Sequence, residues 1–294
     1  MIKNLKLKYL YGDLSLFLVA IMWGGGFVAV KDALNSNISP YYMMTIRFSL
    51  SAIMLGIIFR KKLLNIKRED LLRGTILGIL LFTSFAFQTV GLKYTTPGKQ
   101  AFLTATYVVL VPFLTFVIYK KYPGWYSFSS GIIALIGIGL LTLQGPLRLG
   151  YGDSLTLICA IFFALHIMFV GKYSQKSDTI ALSILQLGIA AIISAIFAVI
   201  LERPPVGLQI GAYSSLLYLV IFSTMLAFLI QNVAQKYTLP SHAAIILSLE
   251  SAFGSIFAVI FLKELFSSTM VIGCILIFIS ILISEIMPNL KRKL

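Results

Sequence analysis

Two ionisable side chains stand inside apolar stretches of this chain. Glu250 lies about nine residues into the segment 241–262, and Arg47 about six residues into 41–59. A charged side chain at the centre of a bilayer costs roughly 2.5–3.5 kcal/mol on insertion scales, so such groups are paired, protonated or functional. Glu250 reads in two ways. It is a proton-coupling or cation-contacting carboxylate, its ionisation set by burial against any nearby base, or it is a fixed structural brace. Arg47 can hold an anionic carboxylate with its planar fork. It can equally bond backbone carbonyls at a broken helix, or snorkel outward.

Other polar groups are candidates of the same kind. His166 falls in the middle of the apolar run 153–172, where a histidine relays protons, binds a solute or simply ties helices together. Gln88 and Gln231 are intramembrane amides that line a cavity or clip helices. Lys99 and His242 each open an apolar segment, as mouth groups or as snorkelling side chains. Trp23, Phe27, Phe102, Tyr107, Phe162 and Phe163 offer an aromatic wall. With 22 Phe and 14 Tyr in the chain, however, most aromatics must face lipid or one another. Gly24–Gly26 either unwinds to bring backbone near a solute or packs helices closely. Cys159 and Cys274 both lie mid-run among apolar residues. No metal site, cofactor or disulfide is expected from them.

These residues sit in a chain of 294 residues that is 59% hydrophobic and only 12% charged, with a mean hydropathy of +0.96. Soluble domains are nearer half apolar and a quarter charged, so the expected solvent is lipid. The formal charge of +14 does not point to nucleic acid, because the bases form short clusters between apolar runs instead of a polar basic face. Ten segments have the 17–25 residues a span needs: 13–31, 41–59, 73–92, 98–119, 126–143, 153–172, 179–201, 210–235, 241–262 and 267–286. Pro40, Pro97, Pro123, Pro204, Pro205 and Pro240 mark the junctions. The N-terminal lysines followed by an apolar run superficially resemble a signal peptide. No small-x-small cleavage site follows, so this stretch is expected to be the first helix.

Lys and Arg concentrate on one set of loops, at Lys3–Lys8, Arg60–Arg73, Lys120–Lys121, Lys172–Lys176, Lys236 and Lys291–Lys293, 17 against six on the other set. Positive loops stay inside, which places both termini in the cytoplasm of a bacterial-type inner membrane. An internal repeat is also visible. Residues 85–104 and 228–247, offset by 143, share eight identities in twenty, including Gln88/Gln231 and the pattern Lys-Tyr-Thr-x-Pro. Gly12-Asp13 echoes Gly152-Asp153 at an offset of 140. The expected domains are therefore residues 1–145 and 146–294. Five helices per copy make the repeats inverted, the arrangement that lets two halves exchange conformations around a central site.

The order of motifs resembles the EamA family of the drug/metabolite transporter superfamily. Trp23-Gly24-Gly25-Gly26-Phe27 with Lys31 is similar to that family's opening. Pro40 with Arg47-Phe48 follows, then Gly91-Leu92-Lys93-Tyr94-Thr95 leading to Pro112, then Glu250, Lys263-Glu264 and Gly273. Ser251 departs from the proline common after that glutamate, implying a less kinked ninth helix. The resemblance implies an all-α integral membrane fold, ten transmembrane helices as two inverted five-helix repeats around a central cavity. It implies export of amino acids or similar small metabolites, with a small-molecule substrate and the lipid bilayer as partners. The expected substrate-binding set is Trp23, Phe27, Arg47, Gln88, Lys99, Tyr107, His166, Gln231 and Glu250. A multidrug or organic-cation exporter is the alternative. A channel or a membrane-embedded transferase fits less well, since neither a ring of charges nor a cluster of His, Asp and Cys is present. The sequence is silent on oligomeric state.

Overall fold

A computed structural model describes residues 2–120, 125–142, 150–208, 210–238 and 240–291. Every regular element among the described residues is helical: α1 Ile2–Asn35, α2 Pro40–Ile58, α3 Arg60–Leu63, α4 Arg68–Leu92, α5 Pro97–Thr104, α6 Tyr107–Tyr119 and α7 Trp125–Thr142. Then come α8 Tyr151–Tyr173, α9 Thr179–Leu201, α10 Ile210–Tyr218, a π-helical stretch Leu219–Leu226, α11 Ala227–Ala234, α12 Pro240–Ser248, α13 Glu250–Leu262 and α14 Ser268–Lys291. Among the described residues, eight stretches are long and apolar enough to cross a bilayer: Leu10–Asn35, Pro40–Ile58, Arg68–Leu92, Pro97–Ile118, Tyr151–Tyr173, Thr179–Leu201, Gly211–Ala234 and Pro240–Leu262. Two further helices, α7 and α14, pack on each other. Ile57, Ile192, Val199, Ile200 and Phe261 stand exposed on the outside, the surface a bilayer covers.

Proline sets several starts. Pro40 and Pro97 occupy the first positions of α2 and α5, where the missing N–H would be unbonded in any case. The fourth and ninth expected spans are each broken near their middle. α5 gives way to α6 at Ala105–Thr106, and α12 to α13 at Leu249. No proline causes either break, so the straighter ninth helix expected from Ser251 is not what forms. Hydroxyls bonding back one turn supply the cause: Thr106 Oγ1 to the Leu103 carbonyl at 2.8 Å, Ser248 Oγ to Ile245 at 2.6 Å and Ser251 Oγ to Ser248 at 2.7 Å. Such bonds compete with the helix ladder and bend it.

These two spans match in detail at the offset of 143. Their breaks correspond, Tyr107 and Glu250 begin the second pieces, and both pieces end on a lysine in the left-handed region, Lys120 at φ 55° and Lys263 at φ 57°. α1 packs on α10, the π-helical stretch, α11, α12 and α13, while α8 packs on α4, α5 and α6. At one end of the bundle Lys62 meets Asp178 and Arg73 meets Ser177. At the opposite end Lys31 meets the Leu92 and Thr95 carbonyls, and Glu202 accepts from the Tyr41 and Tyr42 amides. We call these the Lys62 end and the Lys31 end.

Candidate functional site

A cavity of about 30 Å³ opens inside the bundle, lined by Trp23, Gly26, Phe27, Val30, Arg47, Phe85, Gln88, Leu92, Gln100, Tyr107, Phe163, Ile167, Ser223 and Glu250. Six of the nine sequence-expected residues therefore meet at one place: Trp23, Phe27, Arg47, Gln88, Tyr107 and Glu250. Each comes from a distinct local device. α1 supplies Trp23, Gly26 and Phe27 from a helix that is continuous through its three glycines. Gly24 is there for packing: a Cβ would lie 2.9 Å from the Gly254 backbone nitrogen of α13. Gly26 is on the cavity wall, beside Ser223.

Arg47 is 1% exposed. Its Nε donates to Thr224 Oγ1 at 2.8 Å and its Nη2 to Ser223 Oγ at 3.3 Å, while the guanidinium lies 4.5 Å from the centre of the Phe85 ring, in the range of a cation–π contact. Among the described residues no carboxylate pairs with it. The π-helical stretch carries both partners of Arg47, Ser223 and Thr224. Its Ser223 carbonyl accepts from Trp23 Nε1 at 3.1 Å and its Val220 carbonyl from Ser51 Oγ at 2.8 Å. π-helical turns are rare and concentrate at functional sites. Glu250 is 4% exposed and begins α13, so its carboxylate sits at the positive end of a helix dipole. The buried Tyr107 hydroxyl is the polar group that faces this carboxylate. Gln88 donates to Thr104 Oγ1 at 3.3 Å, and Gln100 donates to the Gln88 carbonyl at 2.7 Å and to Thr156 at 3.1 Å.

The other three expected residues lie elsewhere. Lys99 pairs with Asp153 at 2.6 Å, and Thr95 donates to the same carboxylate at 2.8 Å. Its repeat mate His242 lies 3.1 Å from Asp13. Each base thus meets an acid on a distant helix, Asp153 on α8 or Asp13 on α1, one pair at each end of the bundle. His166 is fully buried against Gln186, 3.0 Å away. Gln231 is fully buried, and among the described residues neither of its side-chain polar atoms has a hydrogen-bond partner. Phe85, Gln100, Ile167 and Ser223 are cavity residues that sequence reasoning missed. Ser223 belongs to the π-helical turn, which left no signal in the sequence. Ile167 is the repeat mate of Phe27 at the offset of 140, a signal that was available.

What the arrangement offers chemically is one cation and one carboxylate on an aromatic-lined wall, with the amides of Gln88 and Gln100 on the same lining. The cavity as it stands holds one or two waters, whereas solute pockets run to roughly 300 Å³ or more. A solute of that size would need the surrounding helices to move apart.

The chain matches the EamA-like transporter family over residues 10–143 and again over 150–285. An "uncharacterized transporter" of Archaeoglobus fulgidus is 36% identical over 276 residues, covering 94% of this chain and 86% of that relative. A second "uncharacterized transporter" of the same organism is 24% identical over 259 residues, 85% of this chain and 89% of the other. A solved crystal structure superposes with a TM-score of 0.73 at 16% identity, covering 94% of this chain and 96% of that one.

Proposed function

This chain belongs to the EamA-like transporter family, and from that premise we propose that it is an alternating-access carrier of small zwitterionic metabolites, amino acids foremost, working as an exporter. The observation that carries the substrate class is the pair of buried, opposite and mutually unbonded charges, Arg47 and Glu250, on one cavity wall. Burying either ion alone costs several kcal/mol. A zwitterion offsets both costs at once, its carboxylate on the Arg47 fork and its ammonium on Glu250, with Trp23, Phe27 and Tyr107 against its side chain. Lys99, His166 and Gln231 belong in this reading to the path instead of the cavity.

The architecture that would do this is ten spans in two inverted repeats, residues 1–145 and 146–294, with α7 and α14 as the fifth helix of each. The matching breaks at 105–106 and 249, the paired left-handed lysines and the crossed ion pairs support it. The basic bias of the Lys62 end supports a cytoplasmic placement of that end and of both termini, in the inner membrane of the cell. An organic-cation exporter is the second reading, favoured by Glu250 on a wall with five aromatic side chains and disfavoured by Arg47 among them.

Counterflow in proteoliposomes tests the proposal. Saturable exchange of amino acids that is lost in Arg47→Gln and in Glu250→Gln supports it. Exchange of tetraalkylammonium or dye cations instead, retained in Arg47→Gln, replaces it by the cation reading.

A further inference from the structure

The cavity wall has a closed counterpart. Four cavity residues, Phe85, Gln88, Leu92 and Gly26, have repeat mates outside the cavity at the offsets of 143 and 140: Phe228, Gln231, Gln235 and His166. These mates belong to a seam between α8 and the helix face that carries Phe228 and Gln231. The His166 and Phe228 rings lie 5.9 Å apart, and Gln235 Nε2 donates to the Ile167 carbonyl at 3.0 Å. α9 joins the seam through Gln186, bonded to His166, and through Ser183, which accepts from Asn232 Nδ2 at 2.8 Å. Phe228, Gln231, Asn232 and Gln235 follow the i, i+3, i+4, i+7 spacing of a single helix face.

This seam is unlike a packed core. His166, Gln186, Gln231, Asn232 and Gln235 are all 0% exposed. Nevertheless His166 Nδ1, Gln186 Nε2, Asn232 Oδ1, Gln235 Oε1 and both polar atoms of Gln231 have no hydrogen-bond partner among the described residues. Each buried, unbonded polar atom costs about 1–3 kcal/mol, and native interiors leave few of them. Six in one seam is a concentration that static packing does not account for.

We infer that this seam is the second, closed half of the solute path. In the alternate state it opens toward the Lys62 end and presents Gln231, Gln235 and His166 to a hydrogen-bonding solute. The inference rests on the alternating-access reading and extends it. In inverted repeats the second half takes the conformation of the first when the state changes, so the mates of open residues become open. The unbonded amides then meet water or the polar groups of a zwitterion, which removes their burial cost in that state. Toward the Lys31 end, Gln88 and Gln100 line the cavity in the state seen here.

Thiol accessibility tests this without knowledge of the solute. Both native cysteines are free, so the background is Cys159→Ala with Cys274→Ala, and the probe is the membrane-impermeant anionic reagent MTSES, applied to vesicles of either orientation. Gln231→Cys is expected to react only from the Lys62 side, and Gln88→Cys only from the Lys31 side. Gln231→Cys should react at least about tenfold faster than Leu77→Cys, a fully buried apolar control that reacts only through local unfolding. Gln235→Cys repeats the measurement should Gln231→Cys fail to insert. Reaction no faster than the control from both sides overturns the inference, and so does reaction from the Lys31 side alone. Labelling as expected without amino-acid counterflow would keep the path and sink only the zwitterion reading.

Discussion

Arg47 and Glu250 show what a burial argument delivers and what it leaves open. Their position inside apolar segments was legible, because a mid-span charge is a strong departure from the local pattern. Whether Arg47 reaches a cavity or the interface was not, since that depends on Ser223 and Thr224, about 176 residues away. Arg47→Lys keeps the charge but loses the fork, and one charge-assisted bond is worth about 1.5–3 kcal/mol. The expected result is a half-saturating concentration raised tenfold or more in counterflow, with the melting temperature lowered only slightly. Gln100 was invisible for a different reason: its repeat mate is Ala243, so the internal comparison carried no signal there. Asp178, in the turn before α9, accepts from the Ile180 and Ala181 amides and pairs with Lys62 at 2.7 Å. Partial burial pushes its carboxyl up, but Lys62 and the two amides outweigh this and hold it below its ordinary value. A lowered folded pKa adds stability above the unfolded value of about 3.9, and that stability disappears as pH falls through the folded value. Asp178→Ala should cost about 1 kcal/mol near neutrality, chiefly as a lost cap. Its melting temperature should converge with that of the unaltered protein as the pH is taken below about 4.

Helix boundaries were largely readable from proline and from the length of apolar runs, and the breaks inside the fourth and ninth spans were not. Hydroxyl back-bonding needs the right rotamer, and Ser or Thr in an apolar run more often leaves the helix straight. The π-helical stretch is a similar case, for it is a register change that no single residue type announces. Its Val220 and Ser223 carbonyls also accept from side chains of neighbouring helices. Ser51→Ala should remove the bond to the Val220 carbonyl at a cost of about 0.5–1.5 kcal/mol, measurable by thermal unfolding in detergent. Left-handed lysines end α6 and α13, where a side chain with a Cβ carries roughly 1–2 kcal/mol of strain. Lys263→Gly should therefore raise the melting temperature, unless the added freedom of the unfolded chain cancels the gain. The two crossed ion pairs should differ in weight. Lys99 and Asp153 are 20% and 4% exposed, against 32% and 34% for His242 and Asp13. Asp153→Asn is expected to destabilise by about 3 kcal/mol or more, as for a broken buried pair, and Asp13→Asn by about 1 kcal/mol or less.

At the scale of the whole molecule, composition and the repeat foretold a helical membrane protein. They did not foretell that the first helix of each half would lie within the other half, because contacts across more than a hundred residues leave no periodic trace. The crossed pairing of Lys99 with Asp153 and of His242 with Asp13 has a consequence for how such a chain could have arisen and can be taken apart. A half on its own owns one acid and one base that cannot reach each other, since they sit at opposite ends of the bundle. Two copies of the first half, inserted in opposite orientations, would set each Asp13 beside the other copy's Lys99 and satisfy both ends. Under the two-repeat reading proposed above, the fused chain is in that sense a two-subunit assembly held in one polypeptide. The segments 1–145 and 146–294, produced as separate chains, should be degraded singly and should restore transport when made together.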